Sequence, residues 1–232
     1  MNTYRIIDTP AFPELQINQT LSSVSSLVLP GFATEDTVTT IKMVDKNYYG
    51  FEYFEFQHEM LIRDTGVAFG FYEGKPIKLD FQGYKKTFTV KAYLNRSEEY
   101  VLISQTAFVV ADLIKKIRGD NNLKVKINEI SLELNKAKQL VTQFKGAWFR
   151  GVSSRVSSSA LFGADLINEP LFAQLQNDGA DLTSITIPFG AMTIQINSDA
   201  GISSHQKIAS IKDELELVKN VKDELIDKLI AD

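Results

Sequence analysis

The chain has 232 residues, 44% hydrophobic and 23% charged, with 25 Lys and Arg against 29 Asp and Glu for a formal charge of −4. That length and polarity build a packed core without metal or crosslink and exclude a disordered chain. Zero cysteines and only two histidines, His58 and His205, exclude thiolate nucleophiles, Cys-ligated zinc, iron–sulfur clusters and disulfides, and leave little for a His-rich metal centre.

Near the N-terminus, Asp8 and Pro10 interrupt any apolar core that a secretory signal would need, and no apolar run is long enough to span a membrane. The expected location is cytoplasmic, with no membrane partner. From Tyr4 to about Ile103 the pattern is one of short strands. Val38–Val44 is β-branched, Asn47–His58 is aromatic, and Gly66–Tyr72, Ile77–Phe81, Thr87–Leu94 and Tyr100–Ile103 follow, separated by turn formers. Glu73-Gly74-Lys75-Pro76 reads as a hairpin turn. Strand units of about ten residues predict a twisted antiparallel sheet or small barrel. In Tyr48–Phe56 aromatics occupy both phases of the alternation, which predicts a central strand covered on both faces. The polar stretch Thr20–Ser26 reads as a loop.

Gln105–Arg118 predicts a helix with Phe108, Leu113, Ile114 and Ile117 on one face and Gly119 as its stop. Gly119–Asn122 then marks a boundary, with a strand expected at Leu123–Ile127. Ile130, Leu134, Ala137, Val141 and Phe144 recur at helical spacing and predict a helix through Lys145. A further helix is expected from Asn168, as cap, with Pro170 in its first turn and Gly179 past its end. Leu182–Phe189 and Met192–Asn197 read as a hairpin about Gly190. From Ser204 onward, Ile208, Ile211, Leu215, Val218, Val221, Leu225 and Leu229 form one stripe. A helix carrying it would reach about 40 Å, longer than a compact domain of this size easily covers, so part of the stripe calls for a partner.

The expected fold is α+β: a β-rich N-terminal antiparallel sheet or small barrel, a mixed α/β C-terminal part and a long C-terminal amphipathic helix. The expected division is a β-rich domain at 1–118 ending in a helix, a mixed α+β domain at 119–203 carrying a basic segment, and the helix at 204–232.

The richest chemistry lies between Asn122 and Arg155, where seven Lys and Arg face only Glu129 and Glu133. There Lys145, Arg150 and Arg155 interleave with Phe144, Trp148 and Phe149 before a serine cluster at Ser153–Ser159. Cations neutralise phosphate, aromatics stack on bases, and hydroxyls bind phosphate oxygens. The same residues also fit a strand whose aromatics are core anchors and whose lysines are merely solvated. The leading expectation is a non-enzymatic binding or regulatory protein. It would engage DNA or RNA through Lys124, Lys126, Lys145, Trp148, Arg150 and Arg155, and form a homodimer through Leu215, Val218, Leu225 and Leu229. A metal-dependent nuclease or phosphodiesterase is the alternative, on Asp64 with Glu73-Gly74-Lys75, although Gly74 and Pro76 place that motif in a turn. A protein-interaction module without nucleic acid is the third reading. His58 reads as a strand-end side chain satisfied by hydrogen bonds and His205 as a cap or surface residue. Ser157, His205 and Asp165 lack a nucleophile elbow, and no phosphate-binding glycine loop is present. No catalytic residue, metal or cofactor is assigned.

Overall fold

In the computed structural model, residues 3–27, 35–81, 83–204 and 206–231 are described; His205 lies outside them. The N-terminal part supplies β1 (Tyr4–Ala11), β2 (Thr20–Leu27), β3 (Glu35–Tyr48), β4 (Phe51–Ile62), β5 (Gly66–Tyr72), β6 (Lys75–Phe81), β7 (Tyr84–Asn95), β8 (Tyr100–Ser104) and α1 (Ala107–Arg118). The rest supplies β9 (Lys126–Glu129), β10 (Gly146–Arg150), β11 (Ser158–Phe162), α2 (Pro170–Asn177), β12 (Asp181–Phe189), β13 (Met192–Asn197), β14 (Gly201–Ser204), α3 (Ile211–Val221) and α4 (Asp227–Leu229). Twelve strands form one antiparallel sheet in the order β11-β10-β12-β13-β14-β1-β8-β7-β4-β3-β2, with β9 also on β1. β1 is the seam: Tyr4 pairs with Ser104 of β8 on one side and Ile202 of β14 on the other. β5 and β6 form a separate two-stranded ribbon. The α+β class holds, as one large sheet with few helices.

Alternating side chains feed two cores on opposite faces of the sheet. Ile6, Tyr53, Tyr93 and Leu102 enter one, with Leu215, Val218, Val221, Leu225 and Leu229 of the C-terminal helix. Ile7, Phe54, Leu94 and Ile103 enter the other, with Val109, Val110, Leu113, Ile114 and Ile117 of α1. β4 is therefore central and covered on both sides, as its aromatics predict. The hairpin at Glu73-Gly74 also forms, with φ of 50° and 75° at the two turn residues, the left-handed pair that a two-residue turn requires. Among the described residues no helix is long and apolar enough to cross a membrane.

Several local expectations fail. No α-helix spans Ile130–Lys145: a bridge pairs Leu132 with Ile230, and a 3-10 helix covers Leu134–Gln139. Ile130, Leu134, Ala137 and Phe144 are buried all the same and Val141 is half-buried, so tertiary packing sets the backbone there and the spacing does not. Thr20–Ser26 is strand, not loop, because Ser23 faces a polar network on α1 instead of core. The strand expected at Leu123–Ile127 is shifted, since Lys124 has φ of 54° and β9 starts at Lys126. The aromatic run breaks at Tyr49-Gly50, a turn between β3 and β4. Phe108 projects outward, edge-on to Phe88. Asn168 lies in a 3-10 turn bonded to Asp165, and Glu169 caps α2.

The C-terminal helix begins at Ile211, where Ser210 Oγ accepts from the Asp213 amide at 3.2 Å; Ser204 belongs to β14. Its turn Lys222–Ile226 is π-helical, with both Leu225 and Ile226 buried. The shorter helix lies along the sheet and buries its stripe within the chain.

Candidate functional site

β10 packs Ala147 and Phe149 into the core, so the alternation turns Gly146, Trp148 and Arg150 to the outer face. Register continues that face across the sheet. Trp148 lies opposite Ala160 on β11 and Ser184 on β12, and Ser184 lies opposite Asn197 on β13. Gly146 lies opposite Phe162 and Thr186, and Thr186 opposite Gln195. A methyl at Gly146 would sit 3.0 Å from Trp148 Cζ3, so the glycine makes room for the indole. The ring meets Phe162 edge-on, centroids 5.2 Å apart at 89°, and Phe162 is 70% exposed.

Beside this aromatic pair runs a groove of about 460 Å³ lined by Trp148, Arg150, Ser184, Gln195, Asn197 and Asp199, among others. Gln195 Nε2 donates to Ser184 Oγ at 2.9 Å and to Asn197 Oδ1 at 3.4 Å. Asp199 is held 3.5 Å from Arg5. Thr186 Oγ1, buried on the same face, has no hydrogen-bond partner among the described residues. The arrangement offers a flat apolar surface, a guanidinium and a row of amide and hydroxyl groups. It can hold a planar ring, contact an anion and read polar edges.

Four of the six residues proposed for nucleic acid share the β10–β11 hairpin. Trp148 and Arg150 stand on the outer face, Arg155 sits in the connecting loop beyond Arg150, and Lys145 precedes β10 at the other end. That loop is closed by the Gly151 amide on Ser157 O at 2.8 Å and by Arg155 N on Ser153 Oγ at 3.3 Å. Lys124 and Lys126 lie elsewhere, before and on β9, beyond β12 and β13. Two other cations of the segment are already engaged, Lys136 with Glu133 at 3.2 Å and Lys138 over the Phe172 ring at 4.6 Å. The four residues proposed for self-association, Leu215, Val218, Leu225 and Leu229, are buried in the chain's own core. The sequence reading missed Phe162, Ser184, Gln195 and Asn197. For Ser184, Gln195 and Asn197 the signal was present in the predicted hairpin, where polar residues alternate with Ile185, Ile187, Ile194 and Ile196; Phe162 lies outside it, on β11.

Asp64 precedes β5 and Glu73 follows it, so about 23 Å of extended ribbon separates the two acids of the nuclease motif. Among the described residues no cluster of three or more His, Asp or Glu could hold a metal ion.

A second cleft, about 290 Å³, lies between β2–β4 and α1 and is lined by Ser25, Thr37, His58, Asp112, Lys116 and Asp120, among others. His58 sits within β4, and both ring nitrogens are bonded: Nε2–H donates to Asp112 Oδ2 at 3.0 Å, and Nδ1 accepts from the Thr39 hydroxyl at 2.7 Å. Burial pushes the imidazole below its usual pKa, against the opposing pull of Asp112. Nearby, Lys116 donates to Ser25 and lies 3.3 Å from Asp120, which also accepts from Ser23. The chain of hydroxyl, imidazole and carboxylate has the form of a proton relay, but Thr39 is 1% exposed, out of reach of any substrate. These groups bind one another and fasten α1 to the sheet.

No protein-family model matches this chain, and no curated protein matches it significantly.

Proposed function

We propose that this protein is a non-enzymatic, cytoplasmic, nucleic-acid-binding protein that lays a single strand of RNA or DNA across the outer face of β10–β13. Trp148 and Phe162 stack on bases, Arg150 and Arg155 meet phosphates, and Ser184, Gln195 and Asn197 bond base edges. The observation that carries this reading is the exposed Phe162 edge-on to Trp148 beside Arg150, on a sheet face with polar side chains. Exposed aromatics on a sheet recognise unpaired bases because every base has a π-face, and a duplex keeps its bases stacked out of reach. Amides and hydroxyls beside the rings add hydrogen bonds to the edges that unpairing frees.

Trp148 is the only tryptophan, so its emission reports directly on the site. Titration with a single-stranded oligonucleotide is expected to quench it, with affinity falling as salt rises, and Phe162→Ala is expected to weaken the effect. Unchanged emission at low salt, with no gel shift, refutes the reading; quenching by a neutral oligosaccharide instead reassigns the face to sugars.

A further inference from the structure

The β5–β6 ribbon stands outside the main sheet, and both its long edges lack a neighbouring strand among the described residues. A lone two-stranded ribbon is marginal in water, yet this one exposes large apolar side chains. Phe69 and Phe71 are 82% and 79% exposed on one face, and Tyr72 projects from the other.

The two edges differ in kind. β6 carries Lys75, Pro76, Lys78 and Asp80, the last two paired at 3.7 Å, and these features block strand addition. β5, from Gly66 to Tyr72, has no charge and no proline. Its edge is apolar and unguarded.

We infer that β5 is the contact edge of a two-fold dimer, pairing antiparallel with β5 of a second copy about Phe69. Phe69 is the midpoint of the seven-residue strand. Full overlap therefore sets Phe69 opposite Phe69 of the partner subunit and Val67 opposite Phe71 of the partner subunit. This makes a continuous apolar row of cross-strand pairs on one face of a four-stranded sheet. A second copy pairs the β5 edge of each subunit at once, because each supplies the same uncharged strand, and leaves the guarded β6 edges outermost. Hydrocarbon would leave the ribbon's backbone N–H and C=O groups unpaired, and nucleic acid would meet no cation on β5. The C-terminal helix, with its stripe buried, offers no competing contact.

The absence of cysteine makes a single introduced thiol diagnostic in the full chain. Phe69→Cys is expected to give a disulfide-linked dimer on mild oxidation, whereas Lys78→Cys, opposite Phe69 on the guarded strand, is expected to stay single. In sedimentation the wild type should run at twice the 26.0 kDa chain mass at high micromolar concentration, and Phe69→Lys at the single-chain mass with unchanged circular dichroism. The inference is overturned by a wild type at the single-chain mass, by a dimeric Phe69→Lys, or by equal crosslinking at both positions. A wild type that stays single and instead pellets with anionic lipid vesicles assigns the ribbon to a membrane surface and also overturns it.

Discussion

The Tyr4 hydroxyl donates to Glu214 Oε2 at 2.7 Å, in the interior, tying β1 to the C-terminal helix. Removing that donor loses a buried hydrogen bond between the sheet and the helix. Tyr4→Phe is expected to lower the unfolding free energy by about 1–3 kcal/mol, measured by urea denaturation.

Leu229 is buried at the far end of that helix against the sheet. Leu229→Ala is expected to cost about 2–5 kcal/mol through lost transfer energy and a cavity, without changing the sedimenting mass. Leu225→Glu with Leu229→Glu is expected to unfold the chain, as calorimetry would record. A folded double variant would mean that the helix does not pack as described.

His58 gives the fold a pH dependence of definite sign. Burial lowers its pKa in the folded state, so below about pH 6.5 the unfolded chain takes up this proton first. Stability is expected to fall as pH drops from about 6.5 through the folded-state value, and to show no His58 contribution above that window. The difference in melting temperature between wild type and His58→Gln across pH 8 to 5 isolates this effect from that of the carboxylates.

On the proposed binding face, Gly146→Val brings a Cβ to 3.0 Å and 3.1 Å from Trp148 Cζ3 and Cη2, and its methyl groups crowd the indole further. The variant is expected to stay folded, to shift tryptophan emission, and to bind a single strand about fivefold or more weakly, since stacking is worth roughly 1–3 kcal/mol per base. Arg150→Ala with Arg155→Ala is expected to lower the log–log salt slope of binding by about 1.4.

Much of the fold was legible because period-2 alternation and turn chemistry act locally. The β5–β6 and β12–β13 hairpins, the covered β4 strand and α1 with its Gly119 stop all follow from such signals. The segment Ile130–Lys145 was not, because its apolar residues are held by distant partners: the Leu132 amide bonds Ser198 O and the Glu133 amide bonds Leu229 O. The same holds for β2, whose serines carry no strand signal until Asp120 and Lys116 are placed beside them. Of the candidate site, the basic hairpin could be read from composition. The face that Trp148 shares with Gln195 and Asn197 needs the register of three strands, which no local pattern states.

The seam at β1 also bears on how the chain reaches this structure. Tyr4 needs Ile202 on one side and Ser104 on the other, so the sheet cannot close across its middle until synthesis has passed Ile202, some two hundred residues after β1. Non-local pairing of this kind has a high contact order and slows folding. During translation β1 waits with one edge open, and that nascent edge is where a chaperone would be needed most.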